Sequence, residues 1–399
     1  MSVPANNASL AEVAAALAAP GKGLLASDES VGTIGKRLEK AGLVNDTETR
    51  RAYRELYYTA PIGEAGISGA IMFKETLQQA AADGTSFVDC LTRQGVMPGI
   101  KVDEGLAPFE GHDLATGETS TRGLDTLAAA AAGYRQAGAR FAKWRAALRV
   151  DAGRGFPSER AVELNAQQLA QYAAVCQAAG LVPIVEPEVL IDGTHSAAEF
   201  GQASERVIGA TVAQLWRQGV QLEGCLLKPQ MVIRVGVTQL AASSHACCVQ
   251  GADAAGGPAA PGDVAAATLA VMRRVVPAAI PGIMFLSGGQ SEEEATVNLN
   301  ALNVMAQQQG KAPWSLSFSY GRALQASVLK IWSADRSRAA EARQMAVALA
   351  AANAAAVQGK YDAAGKHPSV TSDSSLREAF RGWHGPTATV PTAAGAAAR

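Results

Sequence analysis

Eight short apolar runs bounded by Gly or Pro and separated by longer helical segments constrain this chain more than any other feature. They are GKGLLASD (Gly21 to Asp28), GAIMFKE (Gly69 to Glu75), GIKVDEG (Gly99 to Gly105), RFAKWR (Arg140 to Arg145), LVPIVEPE (Leu181 to Glu188), EGCLLKP (Glu223 to Pro229), GIMFLSGG (Gly282 to Gly289) and WSLSFSYGR (Trp314 to Arg322). Continuous apolar runs of this length read as strands buried on both faces, the signature of a parallel sheet. Between them lie helical segments such as SERAVELNAQQLAQYAAVCQAAG and SERVIGATVAQLWRQG, ending at Gly180 and Gly219, where glycine is a C-cap signal. Ser291 to Glu294 has the S-x-x-E capping-box pattern before an apolar run.

Eight buried strands alternating with helices are what a closed (β/α)8 TIM barrel requires, and more than a nucleotide-binding half needs. The expected fold is therefore α/β, a single TIM barrel over residues 1–361, with a doubly wound open sheet as the alternative. Two stretches read as decoration. The Ala, Gly and Pro-rich segment 241–262 is expected to be a surface loop, and 362–399 a mobile tail.

The balance of 35 basic against 36 acidic residues, with no basic stripe, argues against nucleic acid or a membrane surface as partner. No apolar stretch is long enough to span a bilayer, and Glu12 with no basic residue before Lys22 fits neither a secretory nor a transit peptide. Cys90, Cys176, Cys225, Cys247 and Cys248 are odd in number and lack metal-ligand spacing, so they read as reduced thiols in a cytosol-like compartment. A processed chain in the plastid stroma is the alternative.

In a barrel the chemistry sits at the C-terminal ends of the strands, where the following loops converge. The ends of the eight runs carry Asp28, Glu75, Lys101, Lys143 with Arg145, Glu186 with Glu188, Lys228, Ser287 with Gly288 and Gly289, and Arg322. Any one could be polar because strands meet water; all eight together suggest a site. Lys228 ends an apolar strand, where desolvation favours a neutral, nucleophilic amine. It could equally form an internal salt bridge with Glu186. Glu186 and Glu188 share a strand face by their period-two spacing, as a proton shuttle or as counter-ions to Lys143 and Lys228. Asp28 is a third carboxylate for the site, or the N-cap of the next helix. Ser287-Gly288-Gly289 and Gly321-Arg322 follow the last two strands, where barrels commonly hold phosphate. Lys36 and Arg37 with Lys101 and Arg145 form a second cationic cluster, unless the first two belong to a solvated helix face. Five scattered histidines, His112, His195, His245, His367 and His384, offer no metal-ligand spacing.

The blocks LLASDESVGTIGKRL, GIKVDEG, RFAKWR, VPIVEPE, LEGCLLKP, FLSGGQSEEEATVNLNA and SFSYGRALQ resemble those of class I fructose-1,6-bisphosphate aldolase, in order, over roughly Leu10 to Tyr361. The resemblance implies a TIM barrel, usually a homotetramer, that reversibly cleaves fructose 1,6-bisphosphate to dihydroxyacetone phosphate and glyceraldehyde 3-phosphate with no metal or other cofactor. It assigns Lys228 as the Schiff-base lysine and Glu186 as the acid/base of carbinolamine dehydration. Lys143 is the cation beside them, Asp28 the carboxylate handling the C4 hydroxyl proton, and Glu188 a carboxylate orienting the lysines. It puts the C1 phosphate on Ser287, Gly288, Gly321 and Arg322, with Gly289 and Ser319 among the substrate contacts. The C6 phosphate falls to Ser30, Thr33, Arg37 and Lys101, with Arg145 nearby.

This chain departs from the family pattern in several places. Gln230 stands where Ser or Asn follows LLKP, and Glu104 where Lys is usual in GIKVDEG. The last tyrosine is Tyr361, so the family's C-terminal tyrosine has no counterpart and enamine protonation is expected to be slower or to use another acid. Two other readings are another Schiff-base aldolase or transaldolase on the same barrel, and a non-catalytic scaffold that retains the fold.

Overall fold

The computed structural model describes residues 4–5, 7–108, 117–193, 195–233 and 259–371. Its strands are β1 (Gly23–Ser27), β2 (Ile67–Met72), β3 (Met97–Lys101), β4 (Leu106–Pro108), β5 (Thr119–Thr121), β6 (Phe141–Leu148), β7 (Val182–Val189), β8 (Leu226–Leu227), β9 (Gly282–Phe285) and β10 (Ser315–Tyr320). Eight of them close into a parallel barrel in the order β1-β10-β9-β8-β7-β6-β3-β2, the TIM barrel expected from the eight runs. The remaining two, β4 and β5, form an antiparallel ribbon inserted after β3 that the apolar runs do not announce.

The helices are α1 (Leu10–Leu17), α2 (Val31–Lys40), α3 (Thr47–Tyr58), α4 (Lys74–Leu77), α5 (Phe87–Arg93), α6 (Leu124–Gln136), α7 (Glu159–Ala178), α8 (Ala197–Arg217), α9 (Pro261–Val275), α10 (Glu292–Gln308), α11 (Ala326–Ala334) and α12 (Ala339–Val357). The capping box at Ser291 is formed, with Ser291 Oγ accepting from the Glu294 amide and Glu294 reaching back to the Ser291 amide. Gly180 and Gly219 follow α7 and α8 with positive φ, the conformation that lets each chain turn away without a Cβ clash.

Two apolar layers result. One fills the barrel interior: Leu24, Ile71, Phe141, Val182, Ile184, Leu226 and Met284 pack on Val13, Ala14 and Leu17 of α1, which closes the barrel on the side away from the strands' C-terminal ends. Gly99 is required here, because a Cβ would lie 2.2 Å from the Phe141 ring. The larger layer lies between strands and outer helices. With the interior filled, the charged ends of the strands are confined to one mouth. Parallel register there sets Lys101 beside Lys143, and Arg145 beside Glu186.

The two decorations differ from expectation where they are described. Residues 261 and 262, expected in the loop, open α9, whose Pro261 is suited to a first helical turn; residues 241–258 lie outside the described residues. Of residues 362–371, expected as the start of a mobile tail, 362–366 are exposed, and His367, Val370 and Thr371 make contacts with α10 and α11. His367 is buried against Thr296, the Val370 amide donates to Ser327 Oγ, and Thr371 Oγ1 donates to Glu292. The reason is that buried polar groups of α10 and α11, already bonded to one another, offer further acceptor and donor positions to this segment. Cys247, Cys248, His112, His245, His384 and 372–399 lie outside the described residues.

Candidate active site

The mouth holds a cavity of about 970 Å³ lined by residues at or just beyond the ends of every barrel strand except β2. Asp28, Lys101, Lys143, Arg145, Glu186, Glu188, Lys228, Ser287, Gly288, Ser319, Gly321 and Arg322 all face it, as do Ser30, Thr33, Lys36 and Arg37 from the start of α2. Gly289 does not line it. Glu75, read above as one of the eight polar ends, is absent for a clear reason. The chain turns into α4 directly after β2, and Glu75 receives Arg50 Nε and Nη2 at 2.9 and 2.6 Å in the outer layer.

At the centre, Lys143 Nζ is 2.8 Å from Asp28 Oδ2, 3.4 Å from Glu186 Oε2 and 3.6 Å from Asp103 Oδ2. Lys228 Nζ is 3.3 Å from Glu186 Oε1. Glu186 therefore has one carboxylate oxygen toward each lysine, and the salt bridge weighed as the bland reading of Lys228 is present as part of this arrangement. All five groups are buried. Burial works against the charge on Lys143, but Asp28, Glu186 and Asp103 outweigh it and hold the ammonium well above the ordinary lysine range. Burial likewise pushes the Asp28 carboxyl up, and Lys143 and Lys228 overcome that, bringing it to about 2. Asp28 is thus ionised, and Lys143 charged, at any pH near neutrality.

The alternative role for Asp28 as a helix cap is excluded, because Ser30 caps α2: its Oγ accepts from the Thr33 amide at 3.3 Å. Ser30 and Thr33, expected at a phosphate, are also hydrogen-bonded to each other through their hydroxyls at 3.0 Å. Glu188, expected to orient the lysines, is ion-paired to Arg145 Nε. Lys101 folds onto Asp103, 2.8 Å from Oδ1 and 2.9 Å from the carbonyl oxygen.

The family model for class I fructose-bisphosphate aldolase matches residues 9–380. The chain belongs to the class I fructose-bisphosphate aldolase family. A cytosolic fructose-bisphosphate aldolase of Arabidopsis thaliana is 48% identical over 348 residues, covering 87% of this chain and 82% of that protein. A cytoplasmic isozyme of Cicer arietinum is 49% identical over 348 residues, 87% of this chain and 90% of the relative. Among solved structures, the fructose-bisphosphate aldolase of Plasmodium falciparum superposes with a TM-score of 0.80 at 43% identity, covering 91% of this chain and 98% of that one.

Within this aldolase, two features of the mouth, Asp103 and Glu29, escaped sequence reasoning, and two residues it did name, Gln230 and Ser319, have unmet hydrogen bonds. Asp103 is a fourth buried carboxylate; burial, the largest single influence, pushes it up, but Lys143 and Lys101 together outweigh that and leave it lowered. The spacing Lys101-x-Asp103 on a strand end was the available signal, since period two puts both on one face. Glu29 accepts from Arg37 at 2.7 Å and from Arg54 at 2.9 Å. Gln230 is 2% exposed with neither amide atom hydrogen-bonded, and a Cβ on Gly288 would lie 1.7 Å from its Oε1. Ser319 Oγ is likewise buried without a partner and faces the cavity. Lone unpaired groups of this kind cost about 1–3 kcal/mol, which a substrate in the cavity can recover at Ser319.

Proposed function

We propose that the site cleaves fructose 1,6-bisphosphate reversibly into dihydroxyacetone phosphate and glyceraldehyde 3-phosphate through an imine on Lys228. The observation that carries this reading is Glu186 set between the two buried lysines, with Asp28 paired to Lys143 as well.

Lys228 passes a proton to the Glu186 carboxylate beside it, and the neutral Nζ attacks the C2 carbonyl of the open-chain ketose, forming a carbinolamine. Glu186, 3.3 Å from that nitrogen, delivers a proton to the departing hydroxyl, and water leaves as the iminium forms. Asp28 takes the proton of the C4 hydroxyl, the C3–C4 bond breaks, and its electron pair moves into the iminium to give an enamine. Glyceraldehyde 3-phosphate departs. The enamine gains a proton at C3, which balances the one Asp28 took and gives up again, and hydrolysis of the imine releases dihydroxyacetone phosphate. Because the iminium nitrogen receives the electrons, no step calls for a metal or other cofactor. The persistent charge on Lys143 stabilises negative charge developing near C4.

Ser287, Gly288, Ser319, Gly321 and Arg322 are the C1-phosphate side of the cavity. Ser30, Thr33, Arg37, Lys101 and Arg145 are the C6-phosphate side, with Lys36 beside them. Glu188 acts here by fixing Arg145. Phosphate sites on both sides of the mouth favour a bisphosphate over the monophosphate that a transaldolase uses. The reading includes a homotetramer, and a cytoplasmic setting in keeping with the names of the plant relatives.

The test is covalent trapping. Dihydroxyacetone phosphate with borohydride is expected to label Lys228, and Lys228→Ala to lose both labelling and cleavage, while chelators leave activity intact. Labelling elsewhere, or activity lost to EDTA, overturns the reading.

A further inference from the structure

The base assigned to the C3–C4 cleavage sits just past the end of β1, where the sheet ladder no longer fixes the backbone. Ser27 is the last strand residue, so the carbonyls on either side of Asp28 need partners from elsewhere. A single side chain supplies them. Arg54, on the third turn of α3 and 2% exposed, donates from Nε to the Ser27 carbonyl at 2.8 Å and from Nη2 to the Glu29 carbonyl at 3.2 Å. The same Nη2 donates to Glu29 Oε2 at 2.9 Å.

We infer that Arg54 is a positioning residue that clamps the backbone on both sides of Asp28 and so fixes where its carboxylate meets the C4 hydroxyl. This rests on the reading of the site above. Arg54 does not line the cavity, so it acts only through the segment it grips. A buried guanidinium is expensive to desolvate, and an apolar side chain could fill its place with equal stability. What an apolar residue cannot supply is a planar fork that reaches two carbonyls and a carboxylate at once. Around it the segment is held further: Gln325 Nε2 donates to the Ala26 carbonyl at 2.7 Å, and the Ser27 and Tyr58 hydroxyls are 2.6 Å apart. Those contacts fix the strand before Asp28. Arg54 also holds the backbone of the residue after it, Glu29, whose side chain it shares with Arg37.

The clamp touches the step that Asp28 performs and leaves imine formation at Lys228 alone, which separates positioning from general stability. Arg54→Lys and Arg54→Gln are the variants to make. Glu29 keeps its ion pair with Arg37 in both, so no buried carboxylate is orphaned, and Gln retains a donor for one carbonyl. Each is checked for folding by circular dichroism, labelled with dihydroxyacetone phosphate and borohydride, and assayed for bisphosphate cleavage.

Labelling at Lys228 is expected within about twofold of wild type, with KM little changed, while kcat for cleavage falls on the order of 10²-fold, the effect of a misplacement near 1 Å. Lys is expected to recover more activity than Gln. If labelling and cleavage fall together, or a variant cleaves as fast as wild type, the clamp is not a positioning device. Wild type that forms no adduct at Lys228 overturns the site's reading and this inference with it, an outcome distinct from either of those.

Discussion

Lys143 Nζ and Asp28 Oδ2 lie 2.8 Å apart although their strands, β6 and β1, are separated by β2 and β3 around the barrel. The pair crosses the mouth rather than following a strand edge, and it is what joins the Glu186 side of the site to the Asp28 side. Three carboxylates share this one ammonium, so its removal should be felt by all of them.

Lys143→Met is expected to cost about 3–5 kcal/mol of stability at pH 7, the range for breaking a buried ion pair from one side. The pH dependence follows from signs. In wild type the Asp28 carboxyl is lowered to about 2, so its contribution is present above the unfolded value near 3.8 and is lost as pH falls through about 2. Without Lys143 the upward push of burial has less to oppose it, and a raised carboxyl contributes below its unfolded value and loses that contribution as pH rises. The deficit of the variant should therefore be smaller at pH 4.5 than at pH 7.5. Urea unfolding at the two pH values measures it; an equal deficit at both would show that Lys143 does not neutralise these carboxylates.

Glu186→Gln keeps the shape of the group between the two lysines and removes its proton chemistry. The expected result is a kcat lower by about 10²–10⁴-fold with KM changed only a fewfold, the usual size of a lost general acid/base. Borohydride labelling of Lys228 should slow in parallel, since water must leave before the iminium exists. Unchanged kcat would move the proton transfer to another group.

Much of this was legible in the chain itself, and the exceptions have physical causes. Eight apolar runs fix eight strands because a strand buried on both faces has no polar alternation to lose. Their charged ends converge because a filled interior leaves only one mouth. Glu75 fails that rule because periodicity cannot say how soon a helix begins after a strand, and here α4 begins two residues beyond Met72. Arg54 and Glu29 were invisible for another reason: a buried arginine on an amphipathic helix looks like a solvated one until its partners are known. The start of the segment after Tyr361 is anchored by single polar contacts at Thr296, Ser327 and Glu292, which leave no hydrophobic period to read.

The departure at Gln230 gives a prediction that couples two residues on neighbouring strand ends. Gln230 is bridged to Leu286 through the backbone, and its amide occupies the space that a side chain at Gly288 would need. Gly288 has φ 53°, in the left-handed region, where an added Cβ costs about 1–2 kcal/mol by itself. Gly288→Ala should therefore destabilise by that amount plus about 1–3 kcal/mol for the forced displacement of Gln230. It should also raise KM for the bisphosphate by distorting the loop proposed to hold the C1 phosphate. Gln230→Ser removes two unpaired buried amide atoms while leaving a small void, so alone it is expected to change stability by no more than about 1 kcal/mol. In that background Gly288→Ala should lose only its conformational part. A double-mutant cycle in urea then gives a coupling of about 1–3 kcal/mol between the positions. Strict additivity would mean that the Gln230 amide can swing away freely, and that the residue after the LLKP run has no hold on the phosphate loop.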